Sequence, residues 1–310
     1  MNSDTDTRVC RCIGGAVVSK KRVSSVVALL LVGAFACVGA RAGEMTSAPA
    51  VVITQPTGYL NWTGIYVGVN GGYGWSSPSV TYTANDPAAQ AGTCGGVGRG
   101  QCIPQTDFGT NGPLFGGQAG FNWQIMSIWV AGVEADYQWA NFSGKGYSLF
   151  HLGNVGSTSA LTAMNVSQSI KSFGTVRARM GVVPAAPVFV YATGGVAMGQ
   201  VNESFNLPSI GSGGSLTSGR YSYVCGAAGS NCFAGSSSKS MVGWTVGAGA
   251  EYALTNNILL KGEVLFIDLG SPQGTVTAQN VKAGTTAASF SASVTPAAVL
   301  LARGGINFKF

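Results

Sequence analysis

Charged residues at two-residue spacing are the first candidates for chemistry in this sequence. Glu134 and Asp136 stand two residues apart, as do Arg177 and Arg179, and each pair lies among apolar or small residues. Residues i and i+2 of an extended strand point to the same side, so each pair would share one face. Neighbouring carboxylates can perform acid–base chemistry, but a matching number of basic residues favours structural ion pairs. We therefore predict a charge network and no catalytic residue, so that the protein is not an enzyme. Its members are Glu134, Asp136, Arg177, Arg179, Glu251, Lys261, Glu263 and Arg303.

The cysteines offer a second kind of chemistry. Downstream of residue 42, Cys94 and Cys102 form one close pair, and Cys225 and Cys232 form another. An oxidising compartment favours disulfides, and glycines within each short segment allow the local pairs to close, although four cysteines permit three connectivities. The spacing of the pairs is not typical of a zinc site, and the single histidine, His151, lies elsewhere. The pattern predicts local disulfides, no metal and no cofactor.

The low fraction of charged residues limits which fold can carry these residues. The 310 residues include 17 Lys and Arg and 11 Asp and Glu, so 9% are charged, whereas about 25% is typical of a soluble domain. After the first forty residues, no run approaches the ~20 apolar residues of a membrane-spanning helix. Only helices and closed β-barrels satisfy their backbone hydrogen bonds inside a bilayer. The composition therefore predicts a membrane β-barrel.

The N-terminal 42 residues are typical of a cleaved signal peptide. A basic cluster ends at Arg22, an apolar run extends from Val26 to Ala36, and residues 40–42 (Ala-Arg-Ala) provide a small-x-small cleavage pattern. A membrane anchor is the alternative, but the apolar run is short for one. Cleavage would leave 11 basic and 9 acidic residues, which is not the basic surface that nucleic-acid binding requires. We assign residues 43–60 to a periplasmic N-terminal segment and exclude nucleic acid as a partner.

Residues 61–310 alternate between apolar and polar or small side chains. In FGGQAGFNWQ, which starts at Phe115, three aromatic residues share one face, while Gln and Asn share the other. Eight segments follow this pattern, which is typical of a transmembrane barrel with lipid outside and a polar lumen. We predict an all-β fold, an eight-stranded antiparallel up-and-down transmembrane β-barrel. Its long external loops are expected near 76–113, 141–168, 200–240 and 270–297.

A soluble eight-stranded barrel is the alternative fold, and it would place apolar residues inside and polar residues outside. The sequence has too few charges to solvate such an exterior, so we favour the membrane barrel. Eight strands leave only enough width for the barrel's own side chains. The charge network is therefore expected to fill the lumen. Strand-end aromatic residues predict interfacial girdles, and these are Trp62, Trp75, Trp123, Trp129, Tyr137, Trp139 and Tyr252.

Eight strand motifs together resemble a known family. They are similar to those of the small outer-membrane immunogenic or porin-family proteins of alphaproteobacteria, which share an OmpA-like β-barrel domain. The resemblance covers all eight strands in order and leaves out the long loops. The motifs are WTGIYVGVNGGYGW from Trp62, FGGQAGFNWQ from Phe115, GVEADYQW from Gly132, FGTVRARMG from Phe173, VYATGGVAMG from Val190, GWTVGAGAEYAL from Gly243, KGEVLFIDLGS from Lys261 and RGGINFKF from Arg303.

The resemblance implies a location and a set of partners. It implies a cell outer-membrane protein in contact with outer-membrane lipid, with Phe308 and Phe310 in the C-terminal signal that the barrel-assembly machinery recognises. Any further external partner would be contacted by the loops. The favoured function is structural and surface-interacting, namely envelope integrity and loop display. A narrow porin for small solutes is the alternative, and loop-mediated capture of haem has weak support because axial ligands are scarce.

Deletion of Phe310 tests the assembly signal. Loss of the terminal aromatic residue is expected to reduce the amount of folded protein in the outer membrane, because the assembly machinery would recognise it poorly, while export to the periplasm continues. Fractionation followed by immunoblotting measures both quantities. Normal surface abundance of the truncated chain would contradict the prediction.

Overall fold

A computed structural model describes most of the chain after residue 59. The described residues are 60–94, 103–152, 160–209, 214–226, 229–295 and 298–310. Among them, no helix has the length and apolar character to cross a membrane. The predicted signal peptide and the predicted pair Cys94–Cys102 fall outside the part whose side chains are described.

Fifteen strands and one short helix make up the described chain. The long strands contain the alternating segments, and the helix follows Asp86, which accepts hydrogen bonds from the amides of Ala88 and Ala89 at 3.0 and 2.8 Å as a helix N-cap does. The elements are β1 (Gly64–Ser76), β2 (Ser79–Ala84), α1 (Pro87–Cys94), β3 (Thr106–Asp107), β4 (Thr110–Ile125), β5 (Trp129–Leu152), β6 (Ala160–Ala185), β7 (Val188–Pro208), β8 (Ser215–Ser218), β9 (Tyr221–Val224), β10 (Asn231–Ala253), β11 (Ile258–Asp268), β12 (Gln273–Ala278), β13 (Thr286–Ala287), β14 (Ser289–Thr295) and β15 (Ala298–Lys309).

Eight of these strands close into a ring. The order is β1-β4-β5-β6-β7-β10-β11-β15, and β15 pairs antiparallel with β1 to complete the circle. Each neighbour is antiparallel, so no edge is left in the ring. The predicted eight-stranded antiparallel barrel is confirmed.

The outer wall of this ring is apolar across one membrane thickness. On β5, Val133, Tyr137 and Trp139 are exposed while Glu134 and Asp136 between them are buried. From Trp129 to Trp139 the strand rises about 33 Å, and the usual tilt reduces this to roughly the 25 Å of a transmembrane apolar band. The exposed girdle aromatic residues are Trp75, Trp123, Trp129, Tyr137, Trp139 and Tyr252. Trp62 is an exception: it is 1% exposed and packs inside against Phe189 at 5.3 Å between ring centroids, so its assignment to a girdle is wrong.

The regions expected to be long loops are largely β-structure. Strands β5 and β6 remain paired far beyond the apolar band. Strands β7 and β10 also remain paired beyond it. At their upper ends β10 joins β12, which continues through β14 and β2 to β3. The Ser148 hydroxyl on β5 donates to the carbonyl of Pro104, just before β3, at 2.9 Å. We call the upper parts of β5, β6, β7 and β10, together with β12, β14, β2 and β3, the upper barrel. Its strand pairing runs from β5 round to β3, and side-chain hydrogen bonds of Ser148 bridge β3 and β5.

The polarity of the wall reverses where the upper barrel begins. On β7, Val196 and Met198 face outward, but the outward positions that follow are Gln200, Asn202 and Ser204. The inward positions change in the opposite sense. Val201, Phe205 and Leu207 are buried inside, although charged side chains fill the lumen lower down. An apolar exterior is stable in lipid and a polar exterior is stable in water. The surface of the membrane on the side of the upper barrel therefore lies between Met198 and Gln200.

An apolar core and one disulfide hold the upper barrel together. Tyr82 on β2, Phe205 on β7, Phe233 on β10 and Phe290 on β14 belong to one buried cluster. Cys225 and Cys232 belong to the same cluster and are bonded to each other, with 4.5 Å between their Cα atoms. The upper barrel therefore has the apolar interior and polar exterior of a soluble barrel, although the same strands form the membrane barrel below it.

Candidate functional site

The charge network is assembled by strand register. Glu134 on β5 lies directly opposite Arg177 on β6, and Glu263 on β11 lies opposite Arg303 on β15. Opposite charges at facing positions stabilise a pair of strands, so each of these pairs also supports the correct register. All eight predicted members point into the lumen, and none has a side chain more than 1% exposed.

Glu134 is the centre of the network. Its carboxylate forms ion pairs with Arg177, with Arg179 at 3.3 Å, with Lys261 at 2.6 Å and with Arg303 at 3.5 Å. One carboxylate thus contacts all four cations and links strands that are not neighbours in the wall.

The other carboxylates complete the network. Asp136 contacts Arg177 at 2.9 Å and Arg303 at 3.0 Å. Glu263 lies 2.9 Å from Arg177 and 2.6 Å from Arg303. Glu251 contacts Arg179 at 2.7 Å. Each of these carboxylates therefore has a cationic partner in the lumen.

Two tyrosines belong to the site although they were not among the residues selected from the sequence. The Tyr66 hydroxyl donates to Glu134 at 2.7 Å, and the Tyr191 hydroxyl donates to Glu263 at 3.0 Å. Both rings also lie against the Arg179 guanidinium, with centroids 4.6 and 5.1 Å from its central carbon. These contacts satisfy acceptors and a cation that would otherwise be buried without partners. Their inward-facing positions on β1 and β7 are the feature of the sequence that could have identified them as site residues.

Apolar layers close the lumen on both sides of the network. Towards the short turns, Trp62, Val130, Phe189 and Leu259 form a buried cluster. Towards the upper barrel lies a second cluster that includes Phe142 and Phe173, whose rings stack at 6.1 Å. We call this second cluster the apolar belt, and its buried members are Leu114, Phe142, Ile170, Phe173, Ala197, Val201, Leu265, Ile267, Leu269, Val299 and Leu301.

Above the membrane boundary, one more carboxylate faces inward. Glu203 on β7 is buried and accepts a hydrogen bond from the Gln168 side chain at 3.4 Å. Burial raises the pKa of the Glu203 carboxyl, which the Gln168 hydrogen bond and the distant charge of Lys239 only partly offset. Glu203 was not selected from the sequence, because the segment was expected to be a loop with no inward face.

The other predicted site residues occupy the ends of the barrel. Phe310 is exposed at the short-turn end, where its amide donates to the Ile65 carbonyl at 3.0 Å, and Phe308 is exposed on the outer wall. Lys171 shares the odd-numbered positions of Arg177 and Arg179, and simple alternation along β6 would place it in the lumen. A bulge between Ile170 and Phe173 leaves it exposed on the outer side instead.

Comparison with known proteins agrees with this architecture. Residues 28–293 match the family described as outer membrane protein beta-barrel domain. The 31 kDa outer-membrane immunogenic protein of Brucella melitensis biotype 1 is 30% identical over 248 residues, which cover 80% of this chain and 88% of that protein. The chain belongs to the outer-membrane β-barrel family. It is therefore a protein of the outer membrane, as the sequence predicted.

Two further similarities have lower sequence identity. The 25 kDa outer-membrane immunogenic protein of Brucella abortus biovar 1 is 29% identical over 230 residues, or 74% of each chain. The crystal structure of the outer membrane protein OprG from Pseudomonas aeruginosa aligns with a TM-score of 0.42 and 14% identity, covering 80% of this chain and 96% of that one.

Replacement of Arg177 by alanine tests the network. Because the Arg177 side chain is fully buried and contacts three carboxylates, its removal should lower the free energy of unfolding by about 3 to 5 kcal/mol. Urea titration of the refolded barrel, followed by its heat-modifiable gel mobility, measures the change. Arg220→Ala, which removes an exposed arginine, serves as the control and should leave the midpoint nearly unchanged. An Arg177→Ala barrel as stable as the wild type would contradict the structural role.

A pH series tests Glu203. Since its pKa is higher in the folded state than in the unfolded state, folding is favoured most when the carboxyl is protonated, and this stabilisation declines as the pH rises through the two pKa values. Replacing Glu203 with glutamine should remove this pH dependence and stabilise the upper barrel at neutral pH. Protease protection of the upper barrel, measured at mildly acidic and neutral pH, reports the effect. If the Glu203→Gln variant is less protected than the wild type at neutral pH, the raised pKa assigned to Glu203 is wrong.

Proposed function

We propose that this protein is a non-conducting outer-membrane barrel with a structural and surface-interaction role. The closure of the lumen carries the proposal. The charge network fills the middle of the membrane barrel, and apolar side chains pack above and below it. An ion would have to leave water and pass two hydrocarbon layers, and desolvation of an unpaired charge is very costly.

The upper barrel supports the surface role. It presents a rigid wall of paired strands to the exterior, and its apolar core adds a further obstruction above the apolar belt. A conducting porin would instead be expected to keep a polar, water-filled lumen. Under this proposal the buried carboxylates and cations stabilise the barrel and have no catalytic role.

Planar-bilayer recording of the refolded protein separates this proposal from a narrow porin. We expect no stable single-channel steps from the wild type at voltages where a known porin conducts. The double variant Phe142→Ala, Phe173→Ala thins the apolar belt and should show more frequent transient openings. Reproducible steps from the wild type would overturn the proposal.

A deletion strain tests the envelope role separately. Loss of the protein is expected to increase sensitivity to detergents that cross a weakened outer membrane, and the wild-type gene should restore resistance. If uptake of small solutes falls while detergent resistance is unchanged, the porin function is favoured instead.

A further inference from the structure

The outer face of the upper barrel carries a polar groove whose side chains have no partners within the described chain. The groove has a volume of about 680 Å³, within the range of about 300 to 1,000 Å³ that is usual for ligand sites. It crosses β5, β6 and β7. Its outward side chains are Lys145, Tyr147, Asn165, Ser167, Ser204 and Asn206.

The side chains of this groove have free hydrogen-bonding capacity. None of its six outward side chains makes a hydrogen bond or an ion pair with another described residue. A short distance away, the Ser238 hydroxyl donates to Asn202 at 2.7 Å and accepts from Gln200 at 3.2 Å. Neighbouring polar residues thus satisfy one another, whereas those of the groove offer amide, hydroxyl and ammonium groups to a ligand.

The chemistry of the groove suits a phosphorylated sugar. Asparagine and serine side chains can donate to and accept from sugar hydroxyls, and Tyr147, at 68% exposed, provides an aromatic face for a sugar ring. Lys145 supplies a positive charge. The exposed carboxylate on the neighbouring strand β3, Asp107, accepts a hydrogen bond from Gln105 at 2.8 Å and forms no ion pair with Lys145.

The position of the groove indicates where such a ligand would come from. On β7 the groove begins at Ser204, four positions and about 13 Å along the strand beyond Gln200, the first outward polar residue, so the groove lies above the layer of lipid chains. Lys171 is exposed near this boundary. Lys171 lies four positions along β6 from Ser167, which pairs with Lys145. Four positions correspond to a rise of about 13 Å along the strand. Two lysines therefore stand one above the other over the membrane, as charges that face a phosphorylated headgroup would.

We propose that this groove, together with Lys171, binds the phosphorylated sugar headgroup of a glycolipid in the same outer leaflet. Lys171 and Lys145 pair with phosphates, Tyr147 packs against a sugar ring, and the asparagines and serines bond to its hydroxyls. The site lies on the outer wall, so it does not depend on whether the lumen conducts.

Binding of fluorescent short-chain lipopolysaccharide to the refolded full-length protein in detergent tests this proposal. The double variant Lys145→Gln, Lys171→Gln should bind about 30-fold more weakly, and Tyr147→Ala about fivefold more weakly. Arg220→Gln, Lys282→Gln is the matched control, because it removes two exposed positive charges elsewhere above the membrane and should bind like the wild type. Lys145→Arg, Lys171→Arg should retain binding.

Several results would overturn the proposal. Equal losses in the two glutamine double variants would indicate general charge attraction. Undiminished binding of dephosphorylated lipopolysaccharide, or equally tight binding of a neutral soluble glycan, would show that the phosphorylated headgroup is not the ligand. Loss of heat-modifiable mobility in the lysine variant would show that these side chains have structural partners.

Discussion

The hydrocarbon of the outer membrane can neither hydrogen-bond a backbone amide nor solvate a charge, and the rest of this structure depends on that constraint. The first limit requires a closed ring, because any unpaired strand edge would leave amides and carbonyls without partners. The second limit removes charge from the outer wall, where an arginine or lysine at mid-bilayer costs about 2 to 4 kcal/mol. The eight charges of the network lie in the lumen, and there they must be paired. Glu134 meets this need by contacting four cations.

The same constraint ends abruptly above the membrane. Where water replaces lipid, the outward positions of β7 change from Val196 and Met198 to Gln200 and Asn202, and the inward positions become apolar. One continuous strand thus serves two barrels of opposite polarity. The apolar core of the upper barrel does not require ion pairs, while the lumen below it does. Glu203 is an exception, since it is a buried carboxylate above the boundary with one amide as its partner.

The membrane barrel could be predicted from the sequence because lipid imposes a strict alternation on each strand. Strand number, strand faces and the eight lumen charges follow from that pattern. The upper barrel was not predictable by the same reasoning. Its outward serines and asparagines, such as Ser204 and Asn206, are also typical of loops, and its buried apolar residues come from strands as far apart in the chain as β2 and β14. The pairing of β14 with β2 joins residues more than 200 positions apart, a contact that local patterns do not reveal.

Side-chain packing and one bulge determine contacts and orientations that the alternation of apolar and polar residues does not predict. Tyr66 and Tyr191 donate to carboxylates because glycines on neighbouring strands leave space for their rings. A Cβ atom at Gly120 would collide with the Tyr66 hydroxyl, and one at Gly249 would collide with that of Tyr191. The bulge beside Ile170 turns Lys171 outward, which strict alternation placed inside. This last exception arises where β6 crosses from the membrane barrel to the upper barrel.

The reversal of polarity along β7 is the central claim, and the accessibility of spin labels to oxygen and to a water-soluble nickel complex tests it most directly. Labels would be placed singly at outward positions 196, 198, 200 and 202 of the protein in lipid bilayers. The account predicts that labels at 196 and 198 are relaxed mainly by oxygen, which concentrates in lipid, and that labels at 200 and 202 are relaxed mainly by the nickel complex. Oxygen-dominated relaxation continuing through position 202, or nickel-dominated relaxation at position 196, would contradict it.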